Sequence, residues 1–381
     1  MTGPGRVLVV NAGSSSVKLR LLDKEDRLLA SRDLEVAATG APDDDELARF
    51  VSEAGAPDAV GHRVVHGGSL FSGPALLDSK VFERLESLVD LAPLHQSAAL
   101  AAARSIERLL SGVPAVACFD TAFHASMPAA AAVYALPSDL RQRFGLRRFG
   151  FHGLSHSYAS RRCAEILGRP LDQLRIVTCH LGAGASLAAV AGGRSVDTTM
   201  GFTPLEGLVM ATRSGSVDPG LLLWLVVRGG IAAPDLLESL ERHSGLVGLC
   251  GKSDMREVLA AARAGDADAI LALDTYIHRL RASIASMTAA MGGLDALVFT
   301  GGVGENSSEV RQLTAEGLGF LGVRIDPASN ESSGDRDISQ TGAPVRTVVV
   351  AAREDLEIAR EVRLVLTEGK ESPTGSRVWP K

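Results

Sequence analysis

Cysteine is scarce in this sequence, and its few copies are not spaced to organise a fold. Cys118, Cys163, Cys179 and Cys250 lie far apart, with no C-x-x-C pair. That pattern suits reduced thiols in a cytoplasm rather than a disulfide or zinc framework. An uninterrupted apolar run of about 18 residues is also missing, so no membrane span is expected. The opening MTGPGR leads straight into a strand-like run, and no signal-peptide hydrophobic region is expected there. Nor is there a basic excess. The net charge is −6, whereas a large nucleic-acid interface would need a basic stripe. What remains is ordinary for a globular chain, 46% hydrophobic and 22% charged. At 381 residues the chain is long for one core, so two domains are expected. The 40 glycines exceed average usage and concentrate in tight turns.

The stretch Arg6 to Leu22, RVLVVNAGSSSVKLRLL, is the most informative. Val7 to Val10 form an apolar run of buried-strand length. Asn11 to Ser16 supply small turn residues, and Val17, Leu19 and Leu21 alternate with Lys18 and Arg20 as in a second strand. Such a tip lets backbone N–H groups approach an anion, with Lys18 adding positive charge. An ordinary hairpin would read the same way. The layout recurs at Arg175 to Val190, RIVTCHLGAGASLAAV, where Ile176 matches Val7, His180 matches Asn11, Gly182 matches Gly13 and Gly184 matches Ser15. Two such tips suggest a duplicated domain holding one phosphate chain.

Other candidates sit where short strands end. Arg63, in GHRVVHGG, is either a surface arginine or a half-buried one that wants an anionic partner. Asp120 follows the apolar run Val113 to Phe119, where α/β sheets place ligand-binding residues, or is a solvated loop acid. His152 and His156 would share one face of a helix, but no glutamate follows His152 as a zinc motif requires. His156 reads as structural and His152 as facing a cleft. Val81 to Leu91 and Ala98 to Leu110 have helical spacing, broken at Ala92 to His95. Leu221 to Val227, LLLWLVV, is core or a dimer face. Gly245 to Ser253 misses the phosphate-binding loop pattern because position 246 is leucine, and Asp254-Met255-Arg256 opens a helix instead. Thr300 to Asn306 turns glycines into a helix, with Asn306 and Glu309 resembling a capping box.

The words NAGSSSVK, GHRVVHGG, CFDTAFH, GFHGLSH, CHLGAGAS, SVDTTMGFTPLEGL, TRSGSVDPG and FTGGVGENS resemble the acetate/propionate kinase family, from about Val7 to about Val365 and in family order. The resemblance implies an α/β fold of two duplicated actin-like, sugar-kinase-like (ribonuclease H-like) domains with ATP in the cleft between them. It implies residues 1–122 as the first domain, completed by a helix at 356–367, residues 123–355 as the second, and a disordered tail at 368–381. The implied reaction is ATP-dependent phosphorylation of a short carboxylate to an acyl phosphate. The alternatives are a kinase for propionate or a longer acid, or a nucleotide binder with little turnover.

By the same resemblance Asp120, His152 and Arg213 are catalytic, and Arg63 binds the substrate carboxylate. Val65, Leu94, Phe151 and Pro204 form a small acyl pocket. Lys18 and the turn His180, Leu181, Gly182, Ala183 and Gly184 meet the ATP phosphates. Asp254, Met255 and Arg256, with Gly302, Val303, Gly304, Glu305 and Asn306, bind adenosine. Asn11 and Glu354 hold Mg²⁺, or Mn²⁺ in its place. A homodimer is implied, with no nucleic-acid or membrane partner. Three segments depart from the family pattern. HLGNGSS is HLGAGAS, PLHNPAN is Pro93 to Ala99 (PLHQSAA), and NEEL is Arg353 to Leu356 (REDL).

Overall fold

The computed structural model describes residues 3–13, 16–35 and 43–368, without the side chains of 93–95 and 368. Ser14, Ser15 and the expected tail from 369 lie outside them. The chain divides into two compact units. The first comprises the chain up to Ser126, Phe151–Tyr158 and the chain from Arg353 onward; the second comprises Met127–Gly150 and Ala159–Ala352.

The first unit is built on strands β1 (Val7–Ala12), β2 (Ser16–Leu22), β3 (Leu28–Glu35), β4 (Ala59–Val64), β5 (Ala75–Leu76) and β6 (Ala115–Phe119), ordered β3-β2-β1-β4-β6-β5. β1, β4 and β6 run parallel, and the hairpin strands and β5 run antiparallel. Successive side chains of a strand point to opposite faces. Leu8 and Val10 therefore pack with Phe50 and Ile106 from helices Asp44–Ala54 and Pro93–Leu109. Val7 and Val9 pack with Ile358 and Val362 from helix Glu354–Glu368. A strand buried on both faces is apolar throughout, which is why Val7 to Val10 carry no alternation.

The second unit repeats this plan. Strands β7 (Arg175–Leu181), β8 (Ala185–Ala191), β9 (Arg194–Thr198), β10 (Ala296–Thr300), β11 (Arg336–Asp337) and β12 (Arg346–Val349) are ordered β11-β12-β10-β7-β8-β9. Read from β9, strand for strand, every direction matches the first sheet. Even the register shift late in the second strand recurs, at Leu21/Leu22 and at Ala189/Val190. Val7 and Ile176 open equivalent parallel pairings, with Ala59 and Ala296. This is the duplicated actin-like α/β plan.

Several local expectations need correction. Gly13 N–H bonds Ser16 O, whereas Gly182 N–H bonds Gly184 O. The first tip is thus one residue longer, and Ser16, not Ser15, takes the part of Gly184. Helix Pro93–Leu109 begins inside the expected break, because proline at the first helical position forfeits no bond there. Ser307, not Asn306, caps helix Ser308–Glu316, its Oγ accepting from Val310 N–H at 3.2 Å. Asn306 closes the preceding helix Gly301–Asn306 and donates to Gly302 O at 2.8 Å. Helix Pro219–Val227 has no buried residue, so Leu221 to Val227 is not core.

His62 sits in β4 between Val10 and Ala117. It is buried, and its Nε2 makes no hydrogen bond within the protein. Burial pushes its pKa down to about 4. The unfolded chain therefore binds a proton near pH 6.5 that the native state refuses until about pH 4. Stability should fall by about 1.4 kcal/mol per pH unit per such histidine across that window. Urea midpoints measured from pH 7 to 4.5 should show this decline, and His62→Gln should remove one histidine's share of it.

Candidate active site

In the first unit, the C-terminal ends of the three parallel strands deliver Asn11 (β1), Arg63 (β4) and, one residue past β6, Asp120. Glu354, the first residue of helix Glu354–Glu368, joins them. Arg63 Nη2 donates to Asp120 Oδ2 at 2.6 Å and its Nε to the same oxygen at 3.1 Å. Arg63 Nη1 donates to Asn11 Oδ1 at 3.2 Å, and Asn11 Nδ2 donates to Glu354 Oε2 at 3.0 Å. Glu354 Oε2 lies 3.8 Å from Arg63 Nε. Asp120 is only 1% exposed. Its burial and the nearby Glu354 charge raise its pKa against the pull of Arg63. Burial opposes the Arg63 charge, but the Asp120 and Glu354 carboxylates more than offset it and hold the guanidinium protonated.

Lys18 stands exposed on β2, directly opposite Asn11 in register. Phe151 and Val65 are buried. The Phe151 ring meets the His66 ring edge-on at 5.4 Å. The side chain of Leu94 lies outside the described residues. Gln96, one of the departures from the family pattern, is fully buried, and its Nε2 donates to His66 O at 3.1 Å. It thereby anchors the segment carrying Val65.

His152 is not on a helix with His156. It precedes helix Gly153–Leu167 and holds a left-handed backbone at φ +55°, one of two non-glycine residues to do so among those described. Such a residue persists only where its surroundings over-determine it, and such sites cluster where function needs them. Gly153 N–H bonds Asp120 O at 2.9 Å, and a Cβ on Gly153 would lie 2.0 Å from that oxygen. No side chain fits there.

In the second unit, β7 and β10 pair so that His180 stands opposite Thr300. The tip Gly182–Gly184 therefore lies beside the turn into helix Gly301–Asn306. Gly301 holds φ +77°, and a Cβ there would meet Leu181 O at 2.9 Å. The two glycine-rich turns are thus neighbours, a consequence of strand order that spacing along the chain does not show. The Glu305 carboxylate is engaged, accepting from Ala352 N–H at 2.8 Å. Asp254 caps helix Met255–Arg263 and pairs with Arg256, whose hydrogen bonds lower its pKa to about 2. Met255 is buried.

Arg213 is half-buried, and its Nη1 donates to Pro204 O at 3.4 Å. No carboxylate lies within ion-pair range of it among the described residues. Burial lowers its pKa, with only the more distant Glu241 opposing. Neighbouring residues not singled out from the sequence hold its surroundings. Tyr134 Oη donates to Glu206 Oε2 at 2.7 Å, and Arg148 donates to Glu206 Oε1 at 2.6 Å, to Thr199 O and to Met200 O. This network pins the loop that carries Pro204. Arg311, also buried, donates to Gly304 O and Glu305 O at the base of the glycine turn. Neither group carries a sequence signal, since each works through contacts between distant segments.

Among the described residues, no three histidine, cysteine or acidic side chains converge as a metal cluster, and no helix is long and apolar enough to cross a membrane.

Comparison with known proteins gives a consistent picture. The acetokinase family model matches residues 45–360. An acetate kinase of Synechococcus sp. is 55% identical over 302 residues, 79% of this chain and 74% of that protein. The crystal structure of Porphyromonas gingivalis acetate kinase superposes with a TM-score of 0.87 at 38% identity, covering 95% of this chain and 100% of that one. A propionate kinase from Francisella tularensis gives 0.88 at 37% identity, covering 95% and 99%. With two sheets of one topology and glycine turns at matching strand ends, the chain belongs to the acetokinase family.

Proposed function

We propose that the protein catalyses reversible transfer of the γ-phosphoryl group of ATP to acetate, giving acetyl phosphate and ADP. The observation that carries this reading is Arg213, a half-buried guanidinium whose hydrogen-bond acceptor is a carbonyl rather than a carboxylate. A desolvated cation of that kind wants an anion, and a protein that only stored nucleotide would have less use for it.

A carboxylate has a pKa of about 4 and is already the nucleophile at neutral pH. One of its oxygens attacks the γ-phosphorus as the bond to the ADP oxygen breaks, so no strong base is needed. The barrier lies in bringing an anion to a polyanion and stabilising charge on the equatorial oxygens. Arg63, oriented by Asp120, binds the carboxylate. Arg213 neutralises the group in flight, and His152 donates an N–H to it. Lys18, the His180–Gly184 turn and the Gly302–Asn306 segment receive the nucleotide, with Asp254 to Arg256 toward its adenosine. Asn11 and Glu354 offer hard oxygen donors, the ligand type that hydrated Mg²⁺ takes. That ion would supply further charge neutralisation on the phosphate oxygens.

Trapping the acyl phosphate with hydroxylamine, using ATP, Mg²⁺ and a series of carboxylates, tests the reading. Acetate should give hydroxamate, and no product with any short acid would end the proposal. A higher kcat/KM for propionate would favour the second reading, to which Gln96 at the His66 carbonyl lends support.

Gly302 offers a cleaner test of the nucleotide segment. A Cβ there would meet nothing within 4 Å. Gly302→Ala should leave stability unchanged but raise KM for ATP about tenfold, the equivalent of about 1.4 kcal/mol. Steady-state kinetics beside thermal melts would check this.

The reading includes a homodimer and a cytoplasmic location. Four free cysteines suit a reducing compartment. On helix Pro219–Val227, Leu223, Trp224 and Val227 are 66%, 58% and 73% exposed, an apolar surface of the kind that marks an interface. Trp224→Asp should shift sedimentation toward the monomer.

A further inference from the structure

We infer that His124 is a positioning residue for His152, its imidazole holding the Phe151 carbonyl so that the left-handed turn presenting His152 stays closed. The inference rests on the part given to His152 above.

The geometry around that turn is unusually constrained. His124 Nε2 lies 3.0 Å from Phe151 O, the carbonyl of the peptide leading into His152. A carbonyl can only accept, so the imidazole carries its proton on Nε2 and donates. On the far side, Gly153 N–H bonds Asp120 O at 2.9 Å, and His156 N–H bonds His152 O at 2.9 Å. Both peptides flanking His152 are therefore held, one by a side chain and one by the backbone just past β6. His124 itself lies in the turn Ala122–His124 that follows Asp120, so one short segment grips both sides of His152. The His124 ring is fully buried, edge-on to His156 at 5.7 Å and to Phe123 at 5.5 Å. Burial keeps it neutral by lowering its pKa to about 4, so the donor is stable through the physiological range. Local hydrogen bonds of this kind are what a non-glycine residue at positive φ needs to persist.

The test is a double-mutant cycle on the full-length enzyme. His152→Ala should lower kcat about 100-fold, the usual loss for one transition-state donor. His124→Phe should lower kcat about tenfold through misplacement of that donor, with KM for ATP within about twofold. In the His152→Ala background the same His124→Phe change should cost less than about twofold, because nothing remains to misplace. His124→Gln, whose amide N–H occupies the place of Nε2, should recover most of the activity, and His124→Asn, one bond too short, should not. The inference is overturned if His124→Phe costs the same tenfold without His152, or if glutamine rescues no better than asparagine. That second comparison decides the matter even if the phenylalanine variant does not fold. Unchanged kcat in His152→Ala alone would instead remove the part given to His152, and this inference with it.

Discussion

Replacing Arg213 by alanine should lower kcat about a thousandfold or more while leaving KM for ATP within about threefold, as expected for an arginine that meets charge only in the transition state. The ground for this is the environment of the guanidinium. It is half-buried, bonded to the Pro204 carbonyl and not to a carboxylate, and its charge is disfavoured by desolvation. Such a group stabilises an incoming anion far more than a solvated one would. Arg213→Lys should recover only part of the loss, since an ammonium lacks the planar fork that spans two phosphoryl oxygens. Initial-rate kinetics in both directions would check it. A large rise in KM for ATP at unchanged kcat would reassign Arg213 to nucleotide binding alone.

The second large effect is structural in origin and catalytic in consequence. Gly153→Ala should destabilise the first unit by about 4 kcal/mol or more, in the range reached only by gross steric conflicts. The added Cβ would lie 2.0 Å from the Asp120 carbonyl oxygen and 2.8 Å from Phe123 Cβ, and the nearer contact is backbone that cannot swing aside. Relief requires moving the chain at Asp120, whose carboxylate orients Arg63 at 2.6 Å. Folded molecules of this variant should therefore also show a raised KM for acetate. Urea midpoints and acetate kinetics on the soluble fraction would measure both. Gly302→Ala serves as the control, because the same added atom meets open space there.

Much of the architecture was readable in the chain before folding. The apolar runs of β1, β7 and β10, each closed by small residues, mark buried strands, and the recurrence of the first hairpin at β7 and β8 marks the duplication. The proposed site residues Asn11, Arg63 and Asp120 come together because adjacent parallel strands bring their C-terminal ends to one edge of the sheet. Helix boundaries were less readable. Proline at 93 looks like a break in sequence yet opens a helix, and Ser307 rather than Asn306 proves to be the cap, since both depend on backbone angles that composition does not specify. The apolar run at Leu221 to Val227 showed its hydrophobicity but not its exposure, which depends on what the rest of the unit leaves uncovered.

By itself, then, the sequence determined the strand pattern, the two tips of small residues and the types of charged residue at the strand ends, because these follow from local periodicity and side-chain chemistry. Only the tertiary structure decided that Asn11, Arg63, Asp120 and Glu354 form one hydrogen-bonded cluster, that His152 is presented from a left-handed turn, and that His124 grips it. Those facts depend on contacts between segments far apart in the chain, whose geometry is set by strand order and packing.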